Sequence, residues 1–195
     1  MLCHPLKCAE DGTFFVEVSM VKKVNIRQPM AAILFLCYGA LMTYLLFDRN
    51  PGTSNGLSYW EQVWINCNFE PWHTVGNYWD VLIRPDYYLQ KWGSTSEYHY
   101  QVAVALINIV GNVVMFIPLG TFLPVLWSKL QKAWKAIPVG FLVIACVEMC
   151  QLFTLRGRCD IDDVLLNVLG VFLGYAGWRL TQFCRKKRKK TKGGA

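Results

Sequence analysis

Residues 148 to 177 set charged and amide side chains inside a run otherwise apolar enough to sit in lipid, a combination few folds accommodate. The stretch reads E-M-C-Q-L-F-T-L-R-G-R-C-D-I-D-D-V-L-L-N-V-L-G-V-F-L-G-Y-A-G, and its polar members include Glu148, Gln151, Arg156, Asp160, Asp163 and Asn167. A carboxylate near the middle of a membrane helix costs a few kcal/mol at least, so it is kept where it is paired, lines a wet cavity or performs a function. At about 100° per residue, Asp163, Asn167, Gly170, Gly174 and Gly177 fall within roughly 80° of one another on one helix face. That stripe is both polar and small, and Gly170 to Gly174 is a G-x-x-x-G pair that admits a second helix backbone. Its acidic end is therefore expected to face other helices. Asp160 falls at the edge of the same face, whereas Asp162 points away and reads as a solvent-facing or helix-start residue.

Composition agrees with a membrane environment: 54% of the 195 residues are hydrophobic and only 17% are charged. The net charge of +7 does not indicate nucleic acid, because the basic residues gather at segment ends instead of spreading over a surface. The eight cysteines form no C-x-x-C pair, so neither a zinc site nor a disulfide framework is indicated. Cys67 and Cys159 are the pair that would meet outside the membrane. Cys3, His4 and Cys8 sit in a polar N-terminal stretch and carry no metal signal.

Four spans are predicted, at about Met30 to Phe47, Val102 to Trp127, Ala136 to Leu155 and Val164 to Phe183. The first 19 residues read as a disordered preface, and Met20-Val-Lys-Lys resembles the usual start of a membrane protein. Asp48-Arg49-Asn50-Pro51-Gly52 ends the first span. From there to Gln101 the chain is rich in large rings: Tyr59, Trp60, Trp64, Phe69, Trp72, Tyr78, Trp79, Tyr87, Tyr88, Trp92, Tyr98 and Tyr100. Rings of this kind favour the headgroup level, either as short helices on the bilayer surface or as a platform for a lipid or sugar-bearing ligand. In the second span Asn108, Gly111, Asn112 and Met115 share a face, and Pro118, Gly120 and Pro124 are expected to bend or shorten its lower half.

Orientation follows from the cations. Four lie in the N-terminal segment, three in the Ser128 to Lys135 connector and eight from Arg179 onward, which leaves only Arg49, Arg84, Lys91, Arg156 and Arg158 for the other side. The positive-inside tendency puts both termini in the cytoplasm and the aromatic segment outside. The chain thus divides into a cytoplasmic segment 1–29, an all-α membrane domain 30–183 and a basic cytoplasmic tail 184–195 suited to anionic headgroups.

The polar residues of three spans share one depth. At about 1.5 Å rise per residue, Asn108 and Asn112 lie roughly 9 and 15 Å below Val102, Glu148 roughly 10 Å from Leu155 and Asn167 roughly 6 Å from Asp163. Asn108, Asn112, Glu148, Gln151, Arg156, Asp160, Asp163 and Asn167 therefore form one cluster that admits two readings. In the first, Arg156 neutralises Glu148 or an aspartate, the amides satisfy the remainder, and the network only fixes packing. In the second, the cluster is an outward-opening pocket for a polar or lipid-linked group, with Glu148, Asp160 and Asp163 as candidate acid–base groups. Three carboxylates alone are a weak signal for a cation such as Mg²⁺, and neither a cofactor nor a metal is expected. No nucleophile motif accompanies them, and His73 and His99 have no identifiable partner, so a catalyst is the less favoured reading.

Asn108-x3-Asn112-x3-Phe116-x-Pro118-x-Gly120, followed by Glu148-x2-Gln151-x4-Arg156-x3-Asp160-x-Asp162-Asp163-x3-Asn167-x2-Gly170-x3-Gly174, resembles the VanZ-like family of small bacterial membrane proteins. Asn68-Phe69-x-Pro71-Trp72-x-Thr74 resembles that family's N-L-x-P-F-x-T segment, with Phe69 and Trp72 at the commoner Leu and Phe positions. The resemblance covers roughly residues 30 to 180. It implies a multi-pass protein of the bacterial plasma membrane and, from the family's namesake, an effect on susceptibility to the lipid-tailed glycopeptide teicoplanin. The alternative is a membrane enzyme or carrier acting on a lipid-linked cell-envelope precursor.

Overall fold

The computed structural model describes residues 27–48 and 56–192. The preface to residue 19, Met20-Val-Lys-Lys, Cys3, His4, Cys8, most of the break after Asp48 and the last three residues lie outside them. The described chain is mostly helical: α1 (Arg27–Phe47), α2 (Tyr59–Ile65), β1 (Cys67–Asn68), α3 (His73–Ile83), α4 (Pro85–Trp92), α5 (Thr95–Leu126), a 3-10 turn (Ser128–Leu130), α6 (Ala133–Phe153), β2 (Cys159–Asp160) and α7 (Ile161–Lys192). Four of these helices, α1, α5, α6 and α7, are long and apolar enough to cross a membrane.

Their ends obey local chemistry. Ser58 and Glu61 form a reciprocal capping box at α2. Pro85 opens α4 and Gly93, with φ of 65°, closes it. Ser94 accepts the Glu97 N–H to start α5. After Phe153 the chain makes a Schellman turn: Arg156 N–H reaches the Gln151 carbonyl and Leu155 N–H that of Leu152, with Leu155 in the left-handed region at φ of 52°.

Two boundaries differ from expectation. α5 runs through both Pro118 and Pro124 to Leu126, so the helix neither ends nor shortens there. Its proline half is held in the core, where Leu119, Gly120, Leu123 and Pro124 are all buried. At 32 residues α5 is about 48 Å long, more than the roughly 30 Å of a hydrocarbon core. α7 likewise continues as helix through the basic run to Lys192.

The most extensive packing in the molecule is between α5 and α7. A Cβ added at Gly170 would collide with the Val113 carbonyl, one at Gly174 with that of Ile117, and one at Gly120 with that of Val171. Backbone therefore meets backbone, and Thr121 Oγ1 donates across the seam to the Gly174 carbonyl at 3.1 Å. Gly140 of α6 leaves the room occupied by Val171. The stripe ends at Gly174: Gly177 meets nothing within 4 Å, and Gly111 meets only Ile107 of its own helix. Around this seam Phe116, Leu119, Leu123, Ile144, Val164 and Val171 make the main core, which Met42 joins from α1.

Between α1 and α5 the aromatic segment folds as three short helices plus the two-residue strand β1. β1 pairs in parallel with β2, Cys67 opposite Cys159 and Asn68 opposite Asp160. This small bridge lies at the end of the bundle where α1 and α6 finish and α5 and α7 begin. Large rings remain exposed along it, among them Trp60, Trp64, Phe69, Trp72 and Trp79. The opposite end carries the Lys129, Lys132 and Lys135 connector and the basic end of α7.

Candidate functional site

The D-x-D-D run at the start of α7 divides its labour. Asp160 Oδ1 accepts the N–H of Asp162 at 2.9 Å, the bond of an N-cap residue to the first turn. Its Oδ2 accepts Thr74 Oγ1–H at 2.5 Å and Asn68 Nδ2–H at 3.1 Å. Asp162, only 1% exposed, reaches away from the bundle and accepts three backbone N–H groups: Trp72 at 2.6 Å, Thr74 at 2.9 Å and Val75 at 3.0 Å. Those are the orphan donors at the start of α3, which has no side-chain cap of its own. Asp162 thus stands in the first turn of its own helix, as a helix-start residue, but it is not solvent-facing. It is a tertiary cap for another one, and with Asp160 it clamps the Asn68 to Thr74 motif onto the bundle.

Asp163 turns to the interior. Its Oδ1 accepts Asn112 Nδ2–H at 2.6 Å, which joins α7 to α5. One turn deeper, Asn167 Nδ2 donates to Glu148 Oε1 at 3.4 Å, which joins α7 to α6. Glu148, Gln151 and Asn167 are all buried. The Asn167 Oδ1 atom is buried with no hydrogen-bond partner.

Asn108, Asn112, Glu148, Gln151, Asp160, Asp163 and Asn167 line one cavity of about 430 Å³, together with Thr74, Tyr78, Gly111, Gly157 and Arg158. That volume falls in the range of small-molecule sites, roughly 300 to 1,000 Å³. Asn108 commits one of its amide N–H groups to its own helix, Nδ2 donating back to the Val104 carbonyl at 2.8 Å. At Gly157 the space is tight: a Cβ there would stand 3.0 Å from the Gln151 side chain, which would have to shift by a few tenths of an ångström. Among the described residues no group of three or more His, Cys, Asp and Glu has a metal-binding arrangement.

Arg156 is not among the residues that line the cavity. Its Nη1 donates to the carbonyl of Phe47, and Gln151 Nε2 donates to the carbonyl of Leu46 at 3.0 Å. These are the last carbonyls of α1, where a cation and amide donors are favoured by unmet acceptors and the helix dipole. Arg158, two residues on, is the cation that lines the cavity. At the bridge, Cys67 and Cys159 are neighbours as free thiols. Burial first, then the negative charges of Glu148, Cys67 and Asp160, push the Cys159 thiol above its ordinary value and keep it protonated.

Seven residues of the expected cluster line this cavity, and Thr74, Tyr78, Gly157 and Arg158 line it from outside that cluster. Thr74 was visible only as part of the N-x-x-P-x-x-T segment, and Tyr78 follows it by one helical turn on α3. Residues 33–182 match the VanZ/LLP1 family. The chain belongs to that family. The match takes in α5 and α6 whole, most of α1 and α7, the Asn68 to Thr74 clamp and every cavity-lining residue. No curated protein and no solved structure matches the chain.

Proposed function

We propose that this VanZ/LLP1 protein spans the bacterial plasma membrane four times with both termini cytoplasmic. On this reading the cavity opens to the outer face, and through it the protein alters susceptibility to teicoplanin-type glycopeptides without catalysing a reaction. The observation that carries the proposal is the convergence of polar side chains from α5, α6 and α7 on one cavity at the cation-poor end of the bundle. A structural network would close on itself, whereas this one surrounds open space and leaves the Asn167 oxygen without a donor. Orientation is supported by the Lys and Arg residues gathered at the other end and by the exposed indole and phenol rings at the bridge end. The partners are the bilayer and a lipid-linked or lipid-tailed molecule entering the outer leaflet.

A second reading, an enzyme or carrier for a lipid-linked envelope precursor, is favoured by Glu148 and Asp163 lining the same space. In a susceptible Gram-positive host, expression should raise teicoplanin tolerance more than vancomycin tolerance. Glu148→Gln and Asp163→Asn should reach normal folded levels and lose that difference. If neither drug responds while a lipid-linked precursor accumulates or disappears on deletion, the second reading replaces the first.

A further inference from the structure

At the end of the bundle away from the polar cavity, a cleft of about 340 Å³ opens between the start of α1, the end of α5 and the last turns of α7. Its polar lining is Gln28, Gln131, Arg179, Gln182, Arg185 and Lys186, and no carboxylate lines it. An apolar groove of about 520 Å³ follows the same stretch of α7 past Phe172, Ala176, Leu180 and Phe183. Arg179, Gln182 and Lys186 line both spaces, so the two are continuous along one row of side chains. We propose that cleft and groove together bind one anionic phospholipid of the leaflet at the basic end, its phosphate among Arg179, Arg185 and Lys186 and an acyl chain in the groove. This rests on the chain crossing a bilayer and on nothing in the polar cavity.

The cleft has a fixed floor. Trp178, which lines it, is buried with Tyr175 and Ala136, and the Tyr175 hydroxyl donates to the Gln131 carbonyl at 2.8 Å, which holds the connector before α6 beside α7. The level is that of lipid phosphates: at about 1.5 Å per residue, Arg179 and Lys186 lie roughly 24 and 35 Å along α7 from Asp163, either side of a hydrocarbon thickness of about 30 Å. The charge there is uncompensated. Among the described residues the acids lie at positions 48 to 97, at 148 and at 160 to 163, all towards the bridge end, and the three cations have no ionic partner. Guanidinium and ammonium groups match phosphate oxygens, and the Gln131 and Gln182 amides supply donors and acceptors for a hydroxyl-bearing head. A zwitterionic head would bring its own ammonium into a cleft that already holds three cations and no acid, so it is selected against. The basic tail attracts any anionic surface by charge alone, but the cleft gathers its cations on one side. Arg188 stands about 180° round α7 from Arg179 at 100° per residue and lines neither space.

The test uses the full chain, purified from symmetric vesicles of phosphatidylglycerol and phosphatidylcholine with matched acyl chains, and lipid retained through purification is counted by native mass spectrometry. Both leaflets hold both lipids, so the result does not depend on which way the chain faces. Phosphatidylglycerol should be enriched about tenfold over its share of the vesicle, which corresponds to about 1.4 kcal/mol. Arg179→Gln should bring the two lipids to parity, whereas Arg188→Gln, which removes the same charge, should leave the enrichment unchanged; both side chains are exposed, so both variants are expected to fold. Ala176→Phe, which fills the groove, should lower retention of phosphatidylglycerol in folded protein. Neither inorganic phosphate nor short-chain phosphatidylglycerol in excess should displace the retained lipid. Equal retention of both lipids by the wild type, equal losses in Arg179→Gln and Arg188→Gln, or retention indifferent to Ala176→Phe overturns the proposal, the second outcome reducing it to the charge of the tail. Displacement by inorganic phosphate would make the cleft a site for a free anion and overturns it as well. Enrichment that appears only once Glu10→Gln, Asp11→Asn and Glu17→Gln are introduced would name the acidic stretch before α1 as the occupant and would likewise overturn it.

Discussion

Replacing Asp162 should undock the aromatic segment while leaving the four long helices assembled. Its carboxylate accepts N–H groups from Trp72, Thr74 and Val75 at 2.6 to 3.0 Å and is almost completely buried. Hydrogen bonds to a charged acceptor contribute roughly 1.5 to 3 kcal/mol each, and removal strands buried donors at the start of α3. Water can reach part of that helix end once it opens, which offsets some of the loss. For Asp162→Ala we expect a net cost of about 3 kcal/mol to docking. Each 1.4 kcal/mol is a factor of ten, so the open population should rise about a hundredfold. The half-buried thiol of Cys67, paired with Cys159 in the bridge, reports it. In a chain whose other cysteines are replaced by alanine, alkylation of Cys67 should accelerate about a hundredfold in Asp162→Ala. Asp163→Asn, which alters the cavity but leaves the three amide bonds in place, is the control and should leave the rate unchanged. A change of less than about threefold in Asp162→Ala, below about 0.7 kcal/mol, would refute the tertiary cap.

Two further outcomes follow from the packing. Gly174→Leu should cost about 3 kcal/mol or more and lower the yield of folded protein in detergent, because its Cβ runs into the Ile117 carbonyl, whereas Gly177→Leu, facing open space, should fold as the wild type does. Arg156→Ala should loosen the end of α1 by about 1 to 3 kcal/mol, read as faster proteolysis after residue 47 in membranes with little change in the overall melting temperature.

The spans were legible because each is a long, predominantly apolar run, and lipid leaves helices as the open choice for such runs. Gly170 and Gly174 were legible through their four-residue spacing. Their counterpart Gly120 was not, because beside Pro118 and Pro124 it read as a helix breaker, and only the approach of Val171 shows why it is small. The angular argument correctly turned Asp162 away from the cavity, but what lies on that side is α3, about ninety residues earlier in the chain, and periodicity within one helix carries no information about it. Arg156 was assigned a carboxylate because side-chain charges are visible in a sequence. One acceptor it meets is the backbone carbonyl of Phe47 at the end of α1, and backbone carbonyls are the same in every sequence.

Whether the cavity is an outward-open, working site can be read at Asn108. That residue lines the cavity and bonds only within its own helix turn, so Asn108→Cys removes little from the fold. Intact cells carrying Asn108→Cys as the sole cysteine would be treated with a small, membrane-impermeant thiosulfonate, and labelling would be scored beside teicoplanin tolerance in the same culture. The expected result is labelling from outside and, with it, loss of the tolerance that the untreated cells show. Labelling confined to inverted vesicles, or tolerance that survives complete modification, would contradict an outward-facing cavity on which the phenotype depends.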